Sequence, residues 1–233
     1  MSRIGLIGAM DEEITLLLQG MDDKEEVKRA GISFVQGLLH GKSVVVCKSG
    51  VGKVNAAMTT QVLIDCFGVN MIWFTGVAGA VHPTLDIGDI VISSSCQQHD
   101  MDVTPLGYER GIIPYQEISD FPADEDLIQL AQEACAKLCT DHKFIVGRVL
   151  SGDQFVADRD LVSDLYETMS GACVEMEGSA VAQVCYMNKI PYVVLRSMSD
   201  KADGTADVNY AEFTEKAANR SFEIVNDMLQ RVV

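Results

Sequence analysis

The sequence predicts an α/β fold, a single domain over residues 1–233 built as a three-layer sandwich with a mixed central sheet flanked by helices. Three observations predict it. Short apolar, β-branched runs alternate with longer segments of helical periodicity, and strands alternating with helices pack as a sheet covered on both faces. With 48% hydrophobic residues and a mean hydropathy of +0.13, a chain of 233 residues can bury one large core. No internal repeat, low-complexity tract or Pro/Ser-rich linker divides it.

The first strand, Ile4–Ile7, meets Gly8. A helical pattern over Met10–Gln19 follows, with Ile14, Leu17 and Leu18 on one stripe. The mixed-charge stretch Lys24–Arg29 reads as a solvated connection. Ser43–Cys47 is the next strand, and Gly50 and Gly52 separate it from a helix over Lys53–Phe67. Strands come next at Met71–Phe74, ahead of Gly76, and at Asp89–Ser93. A helix over Glu125–Leu138, a strand over Phe144–Leu150 and helices over Asp160–Met169 and Glu177–Met187 follow. The strand Tyr192–Ser197 and a helix over Tyr210–Val232 complete the chain. Glycines beyond strand ends (Gly8, Gly50, Gly76, Gly152) let backbone come close to a ligand, and open α/β sheets bind ligands at the C-terminal ends of strands.

Composition narrows the partners. A net charge of −16 and a pI near 4.5 repel nucleic-acid phosphates and anionic membrane surfaces. No stretch approaches the ~20 apolar residues of a membrane span. The seven cysteines are odd in number, form no C-x-x-C and sit mostly in apolar runs, as reduced thiols of a cytoplasmic protein do. The N-terminal apolar run is short for a signal segment.

Several motifs fall away. Ser49-Gly-Val-Gly-Lys-Val54 resembles the end of a phosphate loop, but Cys47 stands where that loop needs its first glycine and Val54 where it needs Ser or Thr. Gly76-Val-Ala-Gly79 is not a dinucleotide fingerprint; it reads equally as a tight turn or as a backbone floor for a flat ligand. His99-Asp-Met-Asp102 lacks further histidines at ligand spacing, so it reads as a polar loop and no metal is expected. Ser151-Gly-Asp153 is no nucleophile elbow.

Three acids look inward. Glu13 borders the Ile14, Leu17 and Leu18 stripe while Glu12 points away, although acids in a first helical turn also simply complement the dipole. Glu177 lies on the stripe of Val181, Val184 and Cys185, where a carboxylate can accept from a ribose diol or pair with a buried Arg196. Asp200 closes the strand after Arg196-Ser-Met-Ser199. There it is either a turn residue or, if desolvated beside other acids, a group that keeps a proton at neutral pH.

Taken in order, Ile4–Glu13, Lys48–Val54, Thr75–Gly79, Gly88–Val91, His99–Thr104, Ser151–Asp153, Val174–Glu177 and Arg196–Asp200 resemble the methylthioadenosine/S-adenosylhomocysteine nucleosidases of the nucleoside phosphorylase superfamily, over essentially the whole chain. The resemblance implies a nucleoside phosphorylase-like fold and hydrolysis of the N-glycosidic bond of 5′-methylthioadenosine, S-adenosylhomocysteine and 5′-deoxyadenosine, without cofactor or metal. It implies that Glu13 positions and deprotonates water, that Glu177 binds the ribose hydroxyls with Met176 against the sugar, and that Asp200, steadied by Ser199, protonates adenine N7. Arg196 would order the acids. Phe155 would stack on adenine, with backbone of Phe155 and Val156 reading the base edge and Val77, Ala78 and Gly79 beneath it. Met10, Val51 and Tyr210 would line the sugar and thioether pocket. In a homodimer, Val103, Leu106, Tyr108 and Pro114 would reach the neighbouring site. Val77 departs from a small hydroxyl residue common in the family, and Leu106 and Tyr210 each from a common Phe, changes that bear on the preferred 5′-substituent. Phosphorolysis ranks second, because Asp11-Glu-Glu13 would repel a phosphate dianion. Non-catalytic nucleoside binding is a third reading.

Overall fold

In the computed structural model, which describes residues 2–202 and 206–232 (backbone alone for 206–212), the alternation becomes ten strands and six helices. In chain order these are β1 (Arg3–Gly8), α1 (Asp11–Gly20), β2 (Asp22–Arg29), β3 (Ile32–Leu39), β4 (Lys42–Lys48), α2 (Lys53–Phe67), β5 (Met71–Ala80), β6 (Ile90–Gln98), β7 (Asp120–Pro122), α3 (Glu125–Leu138), β8 (Phe144–Ser151), α4 (Arg159–Met169), β9 (Gly171–Glu175), α5 (Gly178–Asn188), β10 (Tyr192–Asp200) and α6 (Ala206–Arg231).

The strands form one mixed sheet. β1 runs parallel to β4 and β5, β5 to β10, and β8 to β6 and β9, whereas β2–β3, β3–β4, β5–β9, β6–β7 and β6–β10 are antiparallel. β10 bonds to both β5 and β6, so β5, β10, β6, β8 and β9 close into a ring, and β1, β4, β3 and β2 extend from it as an open wing. Side chains alternate across the strands, so consecutive apolar residues feed opposite cores. Ile72, Phe74 and Val194 join Leu63 of α2 and Val181 and Cys185 of α5. Trp73, Val193 and Leu195 join Leu17 of α1, Ala131 of α3 and Val225 and Met228 of α6. These two apolar layers are why β5 and β10 read as continuous hydrophobic runs.

The structure corrects the reading of Lys24–Arg29. This stretch is not a connection but most of the exposed strand β2. Only Val27 of it is partly buried, packed against the first core, so it carries no apolar alternation; backbone pairing with β3 holds it, from Glu25↔Gln36 to Arg29↔Ile32. Its charges also discourage pairing with a foreign strand. No described helix is long and apolar enough to cross a membrane.

Trp73 is fully buried between β5 and the helices of the second layer. Truncation to Ala should lower unfolding stability by about 3–5 kcal/mol, read from urea transitions. A loss below about 1 kcal/mol would mean that this layer repacks around the gap.

Candidate active site

Glu13 is held inward by local helix-start chemistry. It stands three residues after Met10, the N-cap of α1, so its carboxylate reaches back over the first turn. Oε2 accepts the N–H of Ala9 (2.5 Å) and of Met10 (3.1 Å), and Oε1 accepts the N–H of Val77 from β5 (3.0 Å). Its neighbours Asp11 and Glu12 are exposed, while Glu13 is buried. The approach to β5 requires Gly76, since a Cβ there would lie 2.3 Å from Oε1. Burial raises the Glu13 pKa, against the opposing pull of Arg196 and the three N–H donors.

The β9–α5 junction carries two acids with separate jobs. Glu175 caps α5: its carboxylate accepts the N–H of Gly178 (2.9 Å) and of Glu177 (3.2 Å) and the hydroxyl of Ser151. It also pairs with Arg196 Nη2 at 2.5 Å, with both side chains buried. The Arg196 guanidinium lies 4.0 Å from the centre of the Phe74 ring. Glu177 is therefore not the partner of Arg196, an alternative the sequence left open. Its Oε1 instead accepts the N–H of Gly52 at 2.7 Å, across the cavity from the β4–α2 turn. Burial, and then the charge of Glu175, push the Glu177 pKa up to about 8.

Asp200 arrives through an irregular strand. The β5–β10 register shifts between Met198 and Asp200, and such a bulge re-aims side chains. Ser199 and Asp200 both face the cavity, although they are consecutive. Ser199 donates its hydroxyl to Asp200 Oδ2 (2.9 Å), and Ala202 donates its N–H to Oδ1 (2.7 Å). Gly79 is required here, because a Cβ would lie 2.9 Å from Asp200 Oδ1.

The three acids named from sequence thus meet at one cavity. Met10, Val51, Val77, Ala78, Gly79, Phe155, Val156, Met176 and Ser199 line it with them. Arg196 stands behind the lining, 1% exposed, and acts through Glu175. The side chain of Tyr210 lies outside the described residues. Val103, Leu106, Tyr108 and Pro114 do not line this cavity within the chain, and Leu106 is 74% exposed. Sequence reasoning missed Glu175 and its donor Ser151. The signal was the Glu-Met-Glu repeat, but the choice between its acids depends on pairing across strands. His99–Asp102 is the polar loop that follows β6, and within it His99 is fully buried and donates its backbone N–H to Ser151 O (2.9 Å). Among the described residues no cluster of His, Cys, Asp and Glu could hold a metal.

Residues 3–230 match the family model of the phosphorylase superfamily. The chain is 41% identical to a 5′-methylthioadenosine/S-adenosylhomocysteine nucleosidase of Staphylococcus carnosus, over 97% of this chain and 99% of the relative. Its structure is similar to that of the nucleosidase of the same name from Neisseria meningitidis in complex with methylthio-immucillin-A, with a TM-score of 0.94, 35% identity and full coverage of both chains. It is similar also to a futalosine hydrolase of Helicobacter pylori, with a TM-score of 0.93, 36% identity and coverage of 99% and 98%.

The raised pKa of Glu177 has a stability consequence. Below about pH 4.5, its ordinary value, both folded and unfolded chains hold the proton and the contribution is complete. As pH rises toward about 8, the unfolded chain releases the proton while the fold retains it, so stability falls by up to about 1.4 kcal/mol per pH unit. Glu177→Gln removes this titration. Its stability relative to the unsubstituted protein should grow steadily from pH 5 to 8 in urea unfolding; parallel curves would show that Glu177 ionises normally.

Proposed function

Given that the chain belongs to the phosphorylase superfamily, we propose that it hydrolyses the N-glycosidic bond of 5′-methylthioadenosine and S-adenosylhomocysteine, and of 5′-deoxyadenosine, releasing adenine and the 5-substituted ribose. One observation carries the choice of hydrolysis: Glu13, Glu175, Glu177 and Asp200 line the cavity, and no Lys, Arg or His does among the described residues. Such a wall offers a phosphate dianion no cationic partner, and its carboxylates can stabilise a cationic transition state.

The chemistry follows from where charge develops. As C1′–N9 breaks, the bonding pair leaves with adenine and the sugar becomes cationic. Adenine is a poor leaving group until N7 is protonated, and Asp200, held by Ser199 and Ala202, is the donor. The ribose 2′- and 3′-hydroxyls donate to Glu177, which favours its ionised form; Met176 packs against the sugar and Phe155 against the base. Water adds its oxygen to C1′ and gives its proton to Glu13, whose three backbone donors fix its orientation. The protein works as a homodimer in the cytoplasm, with Val103, Leu106, Tyr108 and Pro114 completing the partner's 5′-substituent pocket. The exposure of Leu106 and the free, mostly buried cysteines support that reading.

Purified protein incubated with 5′-methylthioadenosine should release adenine without phosphate. Asp200→Asn and Glu13→Gln should each lower kcat by roughly 10²–10⁴-fold. Adenine formed only with phosphate, together with ribose-1-phosphate, would make the protein a phosphorylase. No adenine under either condition would leave it a binding protein, and turnover of futalosine in preference would change the substrate.

A further inference from the structure

In the Gly50-Val-Gly-Lys53 turn, Val51 and Gly52 serve the cavity directly, and Lys53 stands in an unusual place. Lys53 is the first residue of α2, where the helix dipole disfavours a cation, and no acid stands in that first turn to offset it. Its side chain turns away from the helix. Nζ donates to Gln98 Oε1 (2.9 Å) and to Asp100 Oδ1 (2.6 Å), just past the end of β6. Asp100 Oδ2 accepts the N–H of Asp153 (2.9 Å), beyond the end of β8, and Asp153 Oδ1 returns to accept the N–H of Lys53 (2.8 Å). A closed circuit of hydrogen bonds therefore joins three separate chain segments. The Lys53 and Asp100 side chains are only 16% and 24% exposed, so water screens this pair less than a surface pair.

The circuit bears on one catalytic group. Gly52, the residue before Lys53, adopts φ +99°, and a Cβ there would lie 3.2 Å from Asp153 Oδ1. Its N–H is the one that donates to Glu177. Asp153 thus fixes the Gly52–Lys53 peptide through the Lys53 N–H, directly beside the Val51–Gly52 peptide whose N–H holds Glu177. The geometry points to Lys53 as a positioning residue that, through Asp100 and Asp153, sets the Gly52 N–H against Glu177 and so prepares the recognition of the sugar diol. This rests on reading the cavity as a purine riboside site.

The test uses full-length Lys53→Met, which keeps chain length and helix propensity while removing the charge. The probe is a 7-deaza analogue of 5′-methylthioadenosine, which lacks the N7 to be protonated, alongside its 2′,3′-dideoxy counterpart and free adenine, all by calorimetry. Affinity for the diol should fall about 10–100-fold, the loss of a charged hydrogen bond, with less than roughly threefold change for the dideoxy compound and adenine. Asp100→Asn should show the same selectivity more weakly, and it carries the test should Lys53→Met not fold. Equal losses for both nucleosides, or none, would overturn the proposal. Adenine release by the unsubstituted protein, measured in parallel, separates failure of the hydrolase reading from failure of this one, because the affinity ratio is read either way.

Discussion

The site depends on burying a carboxylate cluster against one guanidinium. Arg196 and Glu175 neutralise one another deep in the protein, at 2.5 Å. Glu13 and Glu177 share the same dry region and receive only the remaining attraction of Arg196, together with backbone N–H groups. Removing carboxylates from water without full counter-charge is costly, and the group responds by holding its proton. The cluster therefore retains acidity at neutral pH and is stabilised by hydroxyl donors or positive charge brought against it. Strained ionisation of this kind, in a cavity, is what catalytic sites are built from.

The fold supplies that environment with few elements. The ring of β5, β10, β6, β8 and β9 brings Gly76–Gly79, Ser199–Asp200, Ser151 and Glu175 to one place. Helices α1 and α5 begin beside it, and the N–H groups of Ala9 and Met10, just before α1, and of Gly178, the first residue of α5, face acids. Gly76 and Gly79 matter here for clearance: any side chain would occupy the space of Glu13 or Asp200.

Much of this was legible in the sequence because the signals are local. Glu13 sits at a fixed offset from an apolar stripe, and Asp200 closes an apolar strand; neighbours in the chain left a helix-dipole acid and a turn residue open, and the resemblance to the nucleosidases decided between the readings. The helix at Glu125–Leu138 was legible from its periodicity, and the helix at Lys53–Phe67 from the glycines that bound it. What was not legible depends on pairing. Strand β2 exists because β3 is beside it, and Glu175 matters because β8 and β10 bring Ser151 and Arg196 to it. The bulge at Ser199 and the Lys53 circuit likewise join segments distant in sequence, so residue patterns alone gave no sign of them.

With the Glu177 pKa raised to about 8, the carboxylate cluster holds a proton at neutral pH, which infrared difference spectroscopy between the unsubstituted protein and Glu177→Gln at pH 7 can detect. A carbonyl band of a protonated carboxyl, lost in the variant and disappearing as pH passes about 8, is the expected result. A spectrum that shows only ionised carboxylates at pH 6 would contradict it.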